Sequence, residues 1–567
     1  MKLRLSEQWL SYALLCATLA TLLWIGPGRI LNHRLDYGHP YGYLAADTFQ
    51  HQARADGILR IGHFRHEPIQ HFIGIYPDFP GYYPPVFLQV AASWAGLSGL
   101  PTYVTAQGLA FLSSLMVAAL LFFTFRKINP YAAVLALPLF PFSFLVQAAS
   151  NAYTWGHWPQ IAGQVTLVLL AWLSSQRRTI AWWALLVVAL MGTFMTYIAY
   201  FAFAALFLIL FAAGSWLSDR SNWSLLLGIA AAGAAALALS FRTLLIFLNV
   251  WYPTQGQFSP VLTEWAAGGG YLQLRDFGLF LIPLLAGLAL AGYLLIKMLS
   301  RHEDEPRWPV VLFAFIMLAM GFTNYTGLDK RAFFIRLLWP YYLAVFVGLA
   351  LWFALRGMFK TKIVVGAGTV AISAALLLGI LLTAPPPVAG EGIASQPFWD
   401  LISWLRDTTP QDARIIFMYG DEFIGDNLWN VHRYHLRVLP EDYIRALQTM
   451  SVKREYFTTI NSDVVPFTII PPDHAKQNWL WWGWTANDTE PLDFYLHRER
   501  DICEMDYLVF ATTSRQPILV QYNLYIASKL LEHPWMNVTF QNDYGIVLRN
   551  RKPGEACIEP HSLRPSA

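Results

Sequence analysis

The residues best equipped for chemistry lie in one polar stretch near the N-terminus. Asp36, Asp47, Asp56, Glu67 and Asp78 are accompanied there by His33, His39, His51, His63, His66 and His71. A carboxylate that is partly desolvated holds its proton more tightly and can serve as a general base towards a hydroxyl. Asp47 and Asp36 follow closely on the first apolar run, which would set them near a membrane surface. Asp47 and His51 are four apart, so a helix through them puts both on one face. The competing reading, solvated loop charges, applies to each acidic residue separately. The histidines raise a metal as well: His63 with His66, or His66 with His71, could supply zinc ligands. Neither a neighbouring cysteine nor an H-E-x-x-H spacing accompanies them, so a divalent metal stays an open option and no metal ligand is assigned.

Basic residues form the second constellation. Arg242 lies inside an apolar run, where an unpaired charge costs a few kcal/mol and must find a cavity, a partner or the interface. Lys330, Arg331 and Arg336 flank an apolar run at the end where the positive-inside rule disfavours cations. Cations so placed fit an anion, and a lipid phosphate would supply one that the arginine fork suits. Pairing with Asp329, Asp276 or Glu264 is the alternative.

What must position these groups is a membrane. Of 567 residues, 56% are hydrophobic and only 13% charged, against roughly 25% charged in soluble domains. The apolar residues gather into runs at 9–26, 103–125, 131–148, 159–174, 180–196, 198–217, 223–249, 278–299, 308–324, 336–355 and 363–383. Each is read as a span, which predicts a polytopic α-helical membrane protein of about 11 transmembrane helices. The first run lacks a small-residue cleavage site and is read as a retained span rather than a signal peptide. Basic clusters Lys2/Arg4, Arg126-Lys127, Arg177-Arg178, Arg220, Arg301/Arg307 and Arg356/Lys360/Lys362 fall at alternate connections, which places them and the N-terminus in the cytoplasm. The apolar stretch 86–99 is too short to cross comfortably and is read as a juxtamembrane or re-entrant helix. The first outer loop then covers 27–102. The cytoplasmic loops are too short to build a nucleotide-binding domain, so chemistry belongs on the extracytoplasmic side.

The chain changes character at Thr383-Ala384-Pro385-Pro386-Pro387, where the prolines end the last span and act as a stiff hinge. Residues 1–385 carry 23 Lys and Arg against 13 Asp and Glu, and residues 386–567 carry 16 against 23. The expected organisation is a transmembrane domain at 1–385 and a soluble extracytoplasmic α/β domain at 386–567. Phe398, Leu401, Ile402 and Leu405 have helical spacing, while 414–419, 506–510 and 544–548 read as strands, with a helix near 521–532. The alternation predicts a partly parallel sheet. Cys503 and Cys557 share that domain and could form a disulfide or remain two thiols. Asn487-Asp488-Thr489 and Asn537-Val538-Thr539 are glycosylation sequons.

Three segments together carry a resemblance. Asp47-Thr48-Phe49-Gln50-His51, followed by Tyr82-Tyr83-Pro84-Pro85-Val86-Phe87, resembles the first-loop pattern of the GT-C superfamily of membrane glycosyltransferases. Trp404 to Arg414, reading W-L-R-D-T-T-P-Q-D-A-R, is similar to the phrase that opens the soluble domain of many members, and Asn542 to Arg549 is similar to its close. The resemblance implies transfer of a sugar from a polyprenyl-phosphate carrier, with inversion, to a glycan, lipid or protein acceptor outside the cytoplasm, in a plasma or inner membrane. It implies Asp47 as the base, Asp36 as the reserve, and His51 as a neighbour tuning or binding the acceptor. Arg331 and Arg336, with Lys330 and Arg242, would hold the departing phosphate, and Tyr83, His157 and Glu264 would contact acceptor or donor. In many members transfer from a lipid monophosphate needs no metal. One departure is plain: Trp481-Trp482-Gly483-Trp484 lacks the aspartate of the W-W-D-Y-G signature of oligosaccharyltransferases and lies deep inside the domain.

Two rival classes remain at this stage. A lipid or glycan flippase would explain the spans but not the large outer domain, and no repeated halves are visible. A non-catalytic scaffold subunit of the cell envelope would use the tail only for docking. A nucleic-acid partner has no support.

Overall fold

The computed structural model describes residues 5–26, 38–43, 46–62, 84–141, 153–154, 156–219, 222–248, 281–300, 307–320, 339–358, 362–383, 394–418, 428, 430–437, 502–513 and 517–557. In chain order its helices are α1 (Leu5–Ile25), α2 (Ala46–Ile61), α3 (Pro85–Ser98), α4 (Thr102–Arg126), α5 (Pro130–Ala136), α6 (Trp158–Ser174), α7 (Ile180–Thr196), α8 (Ala199–Ser218), α9 (Trp223–Leu239), α10 (Phe241–Ile246), α11 (Leu281–Leu299), α12 (Trp308–Met320), α13 (Trp339–Met358), α14 (Lys362–Thr383), α15 (Gln396–Thr408) and α16 (Pro517–Leu530). The chain divides into two compact units. The first takes residues 1–35, 84–247 and 265–390; the second takes 36–83, 248–264 and 391–567. The segment holding α2 thus belongs with the C-terminal part of the chain.

The first unit is built of apolar helices. Six described helical segments, Gln8–Ile25, Thr102–Arg126, Tyr200–Ser218, Leu281–Leu299, Tyr341–Met358 and Val365–Thr383, are long and apolar enough to cross a membrane. Shorter apolar helices occupy Pro130–Leu139, Ile180–Thr196, Trp223–Leu239 and Trp308–Ala319. The chain is an integral membrane protein.

Local chemistry explains several boundaries. Asn129 starts α5 because its side chain accepts from the Tyr131 and Ala132 amides at 3.0 and 3.1 Å, satisfying two donors that a helix start leaves over. The run 131–148 was expected as one helix. Pro138 instead withholds a donor, and the chain tightens into a 3-10 turn at Leu137–Leu139; residues 142–148 lie outside the described residues. The run 223–249 also departs from expectation. α9 ends at Ser240 (φ −102°, ψ 22°) and α10 starts afresh at Phe241. The Ser240 amide is shared between the Ala236 and Leu237 carbonyls, each at 3.1 Å, which marks the tightened turn.

Small residues let some of these helices meet backbone to backbone. A side chain at Gly348 on α13 would run into the Ala132 carbonyl of α5 at 2.5 Å, and one at Gly287 on α11 would strike the Phe346 carbonyl. Several polar groups inside the bundle pair with one another. Gln164 on α6 donates to the Tyr200 hydroxyl at 2.9 Å and accepts from the Tyr342 hydroxyl. Ser114 on α4 is hydrogen-bonded to the Tyr153 hydroxyl, and Tyr153 stacks on Phe111 at 4.7 Å.

In the second unit a five-stranded sheet has the order β2-β1-β3-β5-β4, from β1 (Arg414–Phe417), β2 (Tyr434–Arg437), β3 (Tyr507–Ala511), β4 (Met536–Gln541) and β5 (Gly545–Asn550). β1 runs parallel to β2 and β3, while β5 is antiparallel to β3 and β4. The sheet is partly parallel, and β1, β3 and β5 fall on the segments expected as strands. β3 is buried along its whole length.

α15 lies against this sheet through its apolar face of Phe398, Trp399, Leu401, Ile402 and Leu405. Phe398 meets Tyr544 edge to face at 5.1 Å, and Trp404 stacks on Phe540 at 5.0 Å. Ser395 caps its start by accepting from the Phe398 amide at 3.3 Å. Its end is held by Arg433, whose guanidinium donates to the carbonyls of Arg406, Thr409 and Pro410 at 2.7, 2.8 and 2.7 Å. The Arg406 and Thr409 carbonyls are among the acceptors a helix terminus leaves unsatisfied. Cys503 and Cys557 are joined by a disulfide with their Cα atoms 5.4 Å apart; of the two readings open at the sequence level, the structure has the bond.

Candidate functional site

α2 carries the centre of interest. Asp47 stands in its first turn, where the helix dipole favours a negative charge. Asp47 and His51 occupy adjacent turns on one face, as the spacing of four predicts for a helix. Arg54, three further on, continues that stripe, and sequence reading had passed over it although the spacing 47, 51, 54 was in view. His51 is 1% exposed and Arg54 5% exposed.

Asp47 combines two properties that pull apart. Its side chain is open to water, yet the protein surrounding it is dense enough that desolvation raises its pKa to about 6. Solvent exposure alone would leave a carboxyl near 3.8; the raised value fits a water-reached group in a crowded setting, where the medium is poorer than bulk water. Such a carboxylate is largely ionised at neutral pH and still basic enough to take a proton.

The opposite side of α2 is tied by charge. Asp56 Oδ2 lies 2.6 Å from Arg60 Nε and 2.8 Å from His432 Nε2. Arg60 also reaches Asp407 Oδ1 at 3.3 Å, and Asp407 is gripped by both ends of the Arg406 fork at 3.0 Å. Burial works against the Asp56 charge, but the bonds from His432 and Arg60 outweigh it and hold its carboxyl well below the usual range. Burial lowers the His432 pKa in spite of Asp56 beside it. Nearby, His39 Nδ1 lies 3.0 Å from Gln396 Oε1, and Gln396 donates to Asp400 at 2.6 Å.

The other expected site residues divide. His157 is buried immediately before α6, where the Trp158 indole donates to the Tyr153 carbonyl at 2.8 Å. Arg242 lies exposed on α10. Both belong to the first unit, whereas Asp47 and His51 belong to the second. Asp36, Tyr83, Glu264, Lys330, Arg331 and Arg336 lie outside the described residues, as do His63, His66, His71 and the Asn487 sequon. Among the described residues no three His, Cys, Asp or Glu side chains converge as a metal would require.

Neither a protein-family profile nor a curated protein sequence matches the chain. Solved structures do match its fold. The chain is similar to ArnT from Cupriavidus metallidurans in the apo state, at 13% identity and TM-score 0.51, with all of both chains covered. It is similar to the oligosaccharyltransferase AglB from Archaeoglobus fulgidus, in complex with an inhibitory peptide and a dolichol-phosphate, at 11% identity and TM-score 0.52, over 92% of this chain and 71% of that one. The same archaeal enzyme tethered to an acceptor peptide matches at 12% identity and TM-score 0.51, over 91% and 70%. The chain has the GT-C fold that its first-loop and tail motifs resemble.

Proposed function

We propose that this chain is a GT-C membrane glycosyltransferase that moves a sugar from a polyprenyl-phosphate carrier to an acceptor hydroxyl on the extracytoplasmic side. The observation that carries the reading is Asp47: a water-reached carboxylate with a pKa raised to about 6, one turn from a buried histidine, in a chain of GT-C fold. In the reaction the acceptor oxygen attacks the anomeric carbon from the face opposite the phosphate. The bond from that carbon to the phosphate oxygen breaks, the pair leaving with the phosphate, and the configuration inverts. Asp47 takes the hydroxyl proton as the new bond forms.

Lys330, Arg331 and Arg336, with Arg242, are the cations that would hold the departing phosphate, an electrostatic role. Asp36 is the second candidate for the base, and Tyr83, His157 and Glu264 are candidate contacts for donor or acceptor. Eleven crossings, with a cytoplasmic N-terminus and the domain at 386–567 outside, are the topology that the alternating basic loops favour. The missing aspartate at Trp481-Trp482-Gly483-Trp484 argues against a peptide acceptor of the oligosaccharyltransferase kind.

The test is transfer of radiolabelled sugar from polyprenyl-phosphate donors to membrane lipids and polymers by purified protein. Wild type should transfer and Asp47→Asn should not, with both folded. Full transfer by Asp47→Asn and Asp36→Asn alike would remove the assignment of the base. Donor binding without transfer from any donor would favour a flippase or scaffold.

A further inference from the structure

We propose that Asp56, Arg60, Asp407 and His432 form a latch that sets the rotation of α2 about its own axis, and that His432 is thereby a positioning residue for sugar transfer. The proposal rests on Asp47 being the base. At 100° per residue, Asp56 lies about 180° around the helix from Asp47 and about 13 Å along it. The latch therefore grips the back of α2, while Asp47, His51 and Arg54 line the front. Any turn of the helix that moves Asp47 must break the bonds at Asp56 and Arg60.

The grip comes from a rigid source. His432 is inserted with its side chain 3% exposed and its Nε2 2.8 Å from Asp56. Its backbone has φ 52°, a left-handed conformation that costs a residue with a Cβ roughly 1 kcal/mol or more. The next residue holds it there: Arg433 donates to the carbonyls of Arg406, Thr409, Pro410 and His432 itself, the last at 2.9 Å. The strained histidine is thus presented from a segment pinned to the end of α15, and Asp407 from that same helix end supplies the second bond at 3.3 Å. The two bonds clamp one turn of α2 from two directions. Nothing in the reaction uses these four residues directly, yet two of them are charged groups that the helix could have left in water.

A latch of this kind lowers turnover when it is lost but does not alter the base itself. In His432→Ala, kcat should fall tenfold or more, with the donor KM changed less than threefold and the acid limb of the pH profile still near pH 6. His432→Gln, whose amide can reach the place of Nε2, should recover most of the loss. Hydrogen exchange supplies a readout independent of activity. Amides of α2 should exchange at least tenfold faster in His432→Ala and in Asp56→Asn, while those of β3 and β5 keep their protection. Unchanged exchange in α2 for both variants would overturn the latch whatever the activity shows. So would kcat within twofold of wild type in His432→Ala when Asp47→Asn is inactive. If Asp47→Asn stays active while α2 loosens as described, the latch stands and the base assignment falls.

Discussion

Asp47 and His51 stand one turn apart on α2, the aspartate reached by water and the histidine buried. On the proposed function this pair sets the site's chemistry and its pH behaviour. Desolvation raises the Asp47 pKa to about 6, and a base must be ionised to work. Turnover should therefore be level above pH 7 and fall about tenfold per unit once the pH is below 6. Asp47→Asn should lose roughly 100-fold or more of the rate. Because the folded state disfavours the Asp47 charge, the carboxylate opposes folding above its folded pKa. The variant should consequently melt no lower than wild type at pH 7.5. Loss of rate without loss of melting temperature separates this role from a structural one.

Acid should loosen the back of the same helix. His432 faces Asp56, which favours its charged form, and Arg60 and Arg406, which oppose it; burial dominates and lowers its pKa. A histidine depressed on folding gives its full stability above its unfolded value of about 6.5 and loses it as the pH falls from there towards the folded value. Asp56, also depressed, gives its stability above the unfolded carboxyl value and loses it only in much stronger acid. Of the latch groups only His432 titrates between pH 7.5 and 5.5, while Asp47, which takes its proton near pH 6, shifts stability the opposite way over the same interval. In an Asp47→Asn background, which removes the other group titrating in that interval, exchange of α2 amides, corrected for its intrinsic pH dependence, should speed up as the pH falls and stay flat once His432→Gln is added.

The apolar runs made the helices and three strands readable, since 414–419, 506–510 and 544–548 are continuous enough to be buried. β2 (Tyr434–Arg437) and β4 (Met536–Gln541) were not readable. The first has His and Arg within four residues, and the second is buried only at its first residue, Met536. The break at Ser240 has neither glycine nor proline to announce it. Asp47 and His51 were accessible because their meeting is local, a matter of helical spacing. The contact of Asp56 with His432 spans 376 residues, and no periodicity reports a pairing at that distance; it needed the fold.

The disulfide between Cys503 and Cys557 fastens the end of the chain across 54 residues. Closing a loop of that size removes unfolded-state entropy equivalent to roughly 4 kcal/mol in the chain-entropy model, an upper figure for what is measured. The bond also organises its surroundings, since Asn550 donates to the Cys503 carbonyl at 2.8 Å and is itself buried. Cys503→Ser should lower the unfolding free energy by up to about 4 kcal/mol, read by chemical denaturation of the purified protein. A reducing agent should do the same to wild type and nothing further to the variant.

Gln164 allows a sharper test of the helical unit, because it serves two hydroxyls at once. Its amide donates to Tyr200 at 2.9 Å and its carbonyl accepts from Tyr342, and all three side chains are buried. Gln164→Leu keeps the volume but leaves both tyrosine hydroxyls without this partner, and a buried polar group so stranded costs about 1–3 kcal/mol. Tyr342→Phe removes one hydroxyl together with its need for a partner, so it should cost less than Gln164→Leu. In the double variant Gln164→Leu/Tyr342→Phe part of the loss should return, because the Tyr342 hydroxyl that had bonded to Gln164 is no longer there to be satisfied. Thermal unfolding in detergent would rank the three. Additive losses in the double variant would mean that the two side chains act separately and that the hydrogen bond between them contributes nothing to the packing of α6 against α13.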